Sequence, residues 1–259
     1  MIPEEVIRSG QNVKLKAIRA LKSGKHREYT LLEGQHLLSE ALSAHAEIEW
    51  ILISDQLSME IDLKGVPTFF CEDSLMSDVS YLDSPSGVMA WVRRPEKDWR
   101  SQISKLSHRQ WGLIAVGIQD PGNMGALTRV AAGLGAEFLI VTKGATSPWH
   151  PRAVRGASGT TFRIPVYEGV DIDDLLRELE SKDIVSWGAC SDGTPLPSLN
   201  QNLANQKTVV LMGEEGQGLS EDCLARCSAR VGITLRRDVE SLNVATAAAI
   251  LGYHLDNHV

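Results

Sequence analysis

The spacing of apolar residues divides the chain into two regions of different character. Near the start, Val13, Ala17, Ile18 and Leu21 recur at helical spacing while Lys14, Lys16, Lys22 and Lys25 fall largely off that stripe, a pattern that predicts a basic amphipathic helix. The apolar pair Leu31 and Leu32 then precedes Glu33 and Gly34, a helical stretch over 36–44, and strand-like runs at 50–54, 68–71 and 87–92. Residues 1–95 therefore read as a small α/β module. The stretch RRPEKDWRSQISKLSHRQ, residues 93–110, is polar, charged and interrupted by Pro95, so a linker with some helical character is expected over 96–110. Beyond it, strand-like runs at 112–118, 137–142, 184–190, 208–213 and 230–235 alternate with helical stretches. Such alternation is the mark of a parallel sheet covered on both faces, and residues 111–259 are expected to form one. No internal repeat or low-complexity tract interrupts either region.

At 259 residues, with 43% hydrophobic and 23% charged positions, the chain has the make-up of a soluble globular protein with room for two domains. Its longest apolar stretch, residues 244–251, has eight residues against the roughly 20 needed to cross a bilayer, so no membrane span is expected. The opening MIPEEVIRSG has two carboxylates where a secretory signal needs positive charge and an apolar run, which points to a cytoplasmic protein. Cys71, Cys190, Cys223 and Cys227 are too few and too scattered for a disulfide scaffold. Cys223 and Cys227 have the helical i,i+4 spacing, but no further ligand lies near them in sequence, so they read as buried helix cysteines and no metal is expected.

Charge changes the picture more than composition does. A net charge of −7 argues against non-specific nucleic-acid binding by the whole chain. Yet Arg8, Lys14, Lys16, Arg19, Lys22, Lys25 and Arg27 place seven positive charges and no acid within twenty residues. Segregation of this kind points to a local polyanion site, with a merely solvated helix face as the plain alternative.

In an open α/β sheet, ligands bind beyond the carboxyl ends of the strands, and three loops there stand out. After residues 112–118 the chain runs Asp120-Pro121-Gly122-Asn123, turns through Gly125 and enters a helix carrying Arg129. A helix N-terminus offers free N–H groups to an anion, and Arg129, six residues past Asn123, is expected to remain near the same mouth. An ordinary strand–turn–helix junction would look similar. After residues 208–213 comes Gly213-Glu214-Glu215-Gly216-Gln217-Gly218, whose glycines permit close approach of a ligand to backbone. Ser241-Leu242-Asn243 precedes an alanine-rich helix that Ser241 or Asn243 is suited to cap. A dinucleotide-binding oxidoreductase fits poorly, because Gly122 to Gly125 lacks the G-x-G-x-x-G pattern and residues 137–142 end without a ribose-binding acid.

Together, Asn123-x-Gly125-x-x-x-Arg129, Gly213-x-Glu215-Gly216-x-Gly218 and Ser241-Leu242-Asn243-Val244 resemble, in order and type, the three signature motifs of the SpoU/TrmH family of RNA ribose 2′-O-methyltransferases. The resemblance covers about residues 114–253. KLKAIRALKSGKHREYTLLEGQHLLSEAL and SPSGVMAWV are similar to the family's ribosomal-protein-like substrate-binding domain, which extends the likeness over nearly the whole chain. One departure precedes the third motif, where the family usually has Ile-Pro-Met-x-Gly and this chain has Ile233-Thr234-Leu235-Arg236-Arg237.

The resemblance implies a C-terminal trefoil knot in the parallel sheet, S-adenosylmethionine (S-adenosyl-L-methionine) bound in that knot, and a homodimer with active sites at its interface. Gly213, Ile233 and Leu242 would then contact the cofactor largely through backbone, and Asn123, Arg129, Glu215, Ser241 and Asn243 would form the polar catalytic group. The substrate would be RNA, with ribosomal RNA favoured over transfer RNA because members with an added N-terminal module often act on it. A guanidinium is a poor base, so Arg129 is expected to stabilise a developing alkoxide or orient a phosphate. Asn123, Ser241 and Asn243 would position it, and Glu215 would hold Arg129 or Asn123. A non-catalytic RNA-binding protein of the same fold is the competing class.

Overall fold

The computed structural model describes residues 6–58, 61–95, 98–198, 206–237 and 239–256. They form two compact units, one from Met1–Glu96 with Trp149–Phe162, the other from Lys97–Pro148 with Arg163–Val259.

The first unit is built on β1 (Val6–Ile7), β2 (Tyr29–Glu33), β3 (Ile48–Ser54), β4 (Thr68–Cys71) and β5 (Val88–Arg93), in the order β1-β4-β3-β5-β2. β1, β4 and β3 run parallel, and β5 is antiparallel to β3 and β2. The basic helix α1 (Val13–Lys22) buries Leu15, Ile18 and Leu21 against Leu31, Leu52 and Met89. This corrects the apolar stripe read from the sequence, since Val13 is 72% exposed and Leu15 fully buried. The cause is the cap: the Asn12 side chain accepts from the backbone N–H of Lys14, making Val13 the first helical residue and turning Leu15 inward. Helices α2 (Gln35–Ser43) and α3 (Asp73–Val79) follow β2 and β4. Helix α6 (Pro151–Gly156), far along the chain, packs on β2, and Thr30 Oγ1 donates to the carbonyl of Trp149 at 2.6 Å.

The second unit carries the expected parallel sheet. Its strands are β6 (Trp111–Ala115), β7 (Leu139–Thr142), β8 (Val166–Val170), β9 (Val185–Pro195), β10 (Thr208–Met212) and β11 (Ala229–Gly232), in the order β11-β9-β10-β6-β7-β8. Every neighbouring pair is parallel. The central strands β6 and β10 are buried along their whole length, as strands covered on both faces must be. The chain moves outward from β6 through β7 to β8, then returns to the other side, where β10 lies between β9 and β6. The direction of winding therefore reverses between β6 and β10, which sets the loops after these two strands side by side.

Among the described residues, α4 (Trp99–Lys105), α5 (Pro121–Gly133), α7 (Ile172–Ser181), α8 (Glu221–Arg226) and α9 (Val244–Asp256) accompany this sheet, with α5 and α9 packed together. The stretch read as a linker thus contains α4, capped by Asp98 and buried at Ile103. Cys223 is a buried residue of α8, whereas Cys227 lies one position past that helix and is half-buried, so only the first is a helix cysteine. All four thiols are free. Among the described residues no helix is long and apolar enough to cross a membrane, and no cluster of His, Cys, Asp and Glu is placed to hold a metal ion.

Candidate active site

Each of the three loops is shaped by its own local chemistry. At the start of α5, Asp120 Oδ1 accepts from the backbone N–H of Asn123 at 2.8 Å and Pro121 takes the first helical turn, where its missing donor costs nothing. This leaves the Asn123 side chain available for other partners. After β10 the chain folds back on itself, with the Gly218 N–H donating to Glu214 O at 2.8 Å and Gly216 and Gly218 at φ of +87° and +69°. A Cβ on Gly213 would lie 2.2 Å from the carbonyl carbon of Gly218. The close approach that the absence of a side chain at Gly213 permits is to the protein's own backbone. At the start of α9, Asn243 Oδ1 accepts from the N–H groups of Ala245 at 3.0 Å and Thr246 at 3.4 Å. Asn243 is therefore the cap, and Ser241 is exposed with no hydrogen bond among the described residues.

The three loops meet through their side chains. Asn123 Nδ2 donates to Glu215 Oε1 at 2.7 Å, and Asn243 Nδ2 donates to the same oxygen at 3.0 Å and to Asn123 Oδ1 at 2.9 Å. Two amide donors on one carboxylate oxygen are charge-assisted bonds, stronger than their neutral counterparts, and they fix both amides in orientation. Of the two partners expected for Glu215, this geometry supplies Asn123. Arg129 is exposed and makes no hydrogen bond or ion pair among the described residues. Six residues along a helix amount to a rotation of about 240°, which turns Arg129 onto a different side of α5 from Asn123.

Beside this junction lies a cavity of about 690 Å³. Gly213, Glu215, Ile233, Ser241, Leu242 and Asn243 line it, so all the expected cofactor contacts and three of the five expected catalytic residues border one cavity, whereas Asn123 and Arg129 are not part of its lining. Met212, Leu224, Val231 and Leu251 give it an apolar side, and Asp192, Glu214, Glu221 and Glu240 add negative charge. That size is within the usual range of about 300–1,000 Å³ for small-molecule sites, and the mixture of apolar and acidic lining suits an organic ligand that carries positive charge. Sequence reading missed the contribution of β9, whose Cys190 and Asp192 also face the cavity. The only signal was the polar break Cys190-Ser191-Asp192 at the end of an otherwise apolar run. Burial, reinforced by Asp192, pushes the Cys190 thiol up to about 11, so it is a neutral wall group at pH 7 and no nucleophile.

In the first unit the seven basic residues divide. Lys14 Nζ sits 3.6 Å from the centroid of the Phe69 ring, Arg19 donates to Gly10 O at 2.6 Å, Lys22 donates to Ser80 O, and Arg27 donates to Gly24 O at 3.3 Å. Arg8, Lys16 and Lys25 are exposed, and their side chains bond to nothing among the described residues. Sequence reading also missed an aromatic stack in this unit, in which Trp91 lies between Tyr29 at 5.0 Å and Trp50 at 5.3 Å.

Comparison with known proteins matches the chain in two parts. Residues 111–253 match the SpoU rRNA Methylase family, and residues 12–90 match the MRM3-like substrate binding domain. The chain is 30% identical over 254 residues to the 23S rRNA (guanosine(2553)-2′-O)-methyltransferase RlmP of Bacillus subtilis (strain 168), covering 96% of this chain and 98% of that protein. It is 26% identical over 275 residues to the mitochondrial rRNA methyltransferase 3 of Homo sapiens, covering 85% and 66% respectively. The crystal structure of the SpoU methyltransferase AviRb from Streptomyces viridochromogenes, in complex with AdoMet, superposes with a TM-score of 0.84 over 95% of this chain and 98% of that one. At 23% identity this likeness speaks for the fold alone. With a family match over more than half of its length and a relative at 30% identity along nearly all of it, the chain belongs to the SpoU rRNA methylase family.

Proposed function

We propose that the protein transfers a methyl group from S-adenosylmethionine to a ribose 2′-hydroxyl of ribosomal RNA, acting as a cytoplasmic homodimer. The observation that carries this reading is the hydrogen-bonded junction of Asn123, Glu215 and Asn243, of which Glu215 and Asn243 line the cavity. The cofactor supplies an electrophilic methyl on a sulfonium. Gly213, Ile233 and Leu242 would hold it along their loops, the apolar side of the cavity would receive its ring, and Asp192 and Glu240 would balance its positive charge. The C-terminal part of the sheet would be threaded as the trefoil knot that the motifs imply.

A ribose hydroxyl must lose its proton as it attacks, so the protein has to stabilise growing negative charge on that oxygen. Asn123 and Asn243, locked by Glu215, position the hydroxyl. Arg129 supplies a fixed charge for the alkoxide or a neighbouring phosphate. Because Arg129 points away from Asn123 on the same helix, it serves the active centre of a second copy. The outer face of α9, with Ile250 at 38% and Tyr253 at 62% exposure, supports a partner there.

The test is methyl transfer from radiolabelled S-adenosylmethionine to unmodified ribosomal RNA, followed by alkaline hydrolysis. Label is expected at one position that resists alkali, since 2′-O-methylation removes the nucleophile of strand cleavage. Cofactor binding without transfer would favour the non-catalytic RNA binder, and no cofactor binding would remove the cavity from the reading. Mixing inactive Arg129→Ala and Asn123→Ala proteins tests the dimer, because one site in each mixed dimer then keeps both residues and activity should return.

A further inference from the structure

The departure from the family pattern at residues 233–237 is unexplained by the chemistry above. Its last residue, Arg237, has φ of +60°, a left-handed conformation that suits glycine and costs a long side chain strain energy. It belongs to a turn closed by the Val239 N–H on Arg236 O at 3.5 Å, and the residues flanking that turn, Leu235 and Glu240, both line the cavity. The side chains of Arg236 and Arg237 are exposed and make no hydrogen bond or ion pair among the described residues. Arg226 and Arg230 of the same unit are, by contrast, ion-paired with Asp173 and Glu221. A second hollow of about 340 Å³ shares Ser191, Ile233, Leu235 and Glu240 with the main cavity, so the turn borders open space.

We propose that Arg236 and Arg237 form a phosphate clamp at the rim of the cavity, gripping the RNA backbone next to the ribose to be methylated. This rests on the reading that RNA is the substrate. The electrostatics call for such a device, because Asp192, Glu214, Glu215, Glu221 and Glu240 line the cavity and repel a polyanion over roughly a Debye length of 8 Å at physiological salt. Two adjacent guanidinium forks oppose that repulsion where the backbone must pass, and each fork matches a phosphate with paired hydrogen bonds.

The experiment compares wild type with Arg236→Ala/Arg237→Ala, Arg237→Gly and Arg237→Lys. With a short single-stranded RNA containing the target nucleotide, the double variant is expected to bind about tenfold more weakly and to lose roughly 0.7 from the log–log salt slope per lost phosphate contact. In methyl transfer its KM for RNA should rise by about tenfold while kcat at saturating RNA and the calorimetric affinity for S-adenosylmethionine hold within about twofold. Arg237→Gly should raise KM without lowering Tm, because it relieves the backbone, and Arg237→Lys should fall between it and wild type. An unchanged salt slope and KM in the double variant would overturn the clamp. So would weakened cofactor binding with RNA binding intact, which would make the pair a partner of the cofactor's carboxylate. A wild type that binds RNA but transfers no methyl would sink the proposed activity instead, and the salt slope would still decide the clamp.

Discussion

The junction at the ends of β6 and β10 and the basic segment around α1 are both concentrations of polar residues, yet they use their groups in opposite ways. In the junction, Asn123, Glu215 and Asn243 bond to one another across sequence separations of 92, 28 and 120 residues, so the polar groups are ordered before any ligand arrives. Around α1, each charge is governed by its immediate surroundings: Lys14, Arg19, Lys22 and Arg27 have local partners, and Arg8, Lys16 and Lys25 have none among the described residues. A preorganised network acts as a unit, so losing one member should disable it. A set of independent charges should lose function in proportion to the charges removed.

The largest effect is therefore expected in the junction. Asn243→Ala removes two hydrogen bonds of the network together with the cap of α9. It should lower kcat by at least about 100-fold, the scale of losing one positioned polar group, and cost about 1 kcal/mol of stability through the cap. Asn243→Asp separates the two roles, since it keeps the capping oxygen but sets a second carboxylate against Glu215. Single-turnover methyl transfer should fall as far in Asn243→Asp as in Asn243→Ala, while thermal melting of the Asp variant stays nearer to wild type. An active Asn243→Asp would reduce the network to a structural tie.

Gly213 should give the next largest effect, and in stability first. A methyl group there meets Gly218 and Leu219 backbone at 2.2 and 2.4 Å, so the loop must open. Gly213→Ala is expected to cost about 1–3 kcal/mol, the range for overpacking a closed site, and to weaken S-adenosylmethionine binding because Glu215 shifts with the loop. Unfolding by urea and calorimetric titration measure the two effects, and a wild-type midpoint in urea would mean that the loop is not closed in this way.

Much of this was legible in the sequence. The apolar runs of β6, β7 and β10 announce strands buried on both faces and those of β9 and β11 announce strands buried over part of their length, whereas β8 escapes notice because Glu168 and Gly169 interrupt its apolar residues. Helix α4 is legible only as helical character within a linker, because it buries a single residue, Ile103, and so has no stripe to fix its bounds. The residues of the junction could be read from three loops at strand ends, but their bonds could not, since those depend on β10 entering beside β6. The turn of Arg129 away from Asn123 follows from helical phase alone and was within reach. Which of Ser241 and Asn243 caps α9 was not, because both side chains suit the role and only the position of the first helical residue decides.

The basic segment should give smaller, graded effects, and these sharpen the comparison. Replacing Arg8, Lys16 and Lys25 together with Gln should flatten the salt dependence of RNA binding by up to about 2 log units per log of salt, at roughly 0.7 per phosphate contact, without changing Tm. Replacing Lys14 alone should do the reverse. Its ammonium lies 3.6 Å from the centre of the Phe69 ring, and Phe69 is itself 36% exposed, so the pair is partly desolvated and holds the start of α1 against β4. A cation–π contact at such a site is worth about 0.5–1 kcal/mol. Lys14→Gln should therefore lower the unfolding free energy by about that amount while leaving the salt slope within error of wild type, and Lys14→Arg should restore stability because a guanidinium stacks on the same ring. If Lys14→Gln instead lowered the slope by a full contact with no loss of stability, Lys14 would belong with the three free charges, and the division of the segment into local and outward-facing cations would fail at its clearest member.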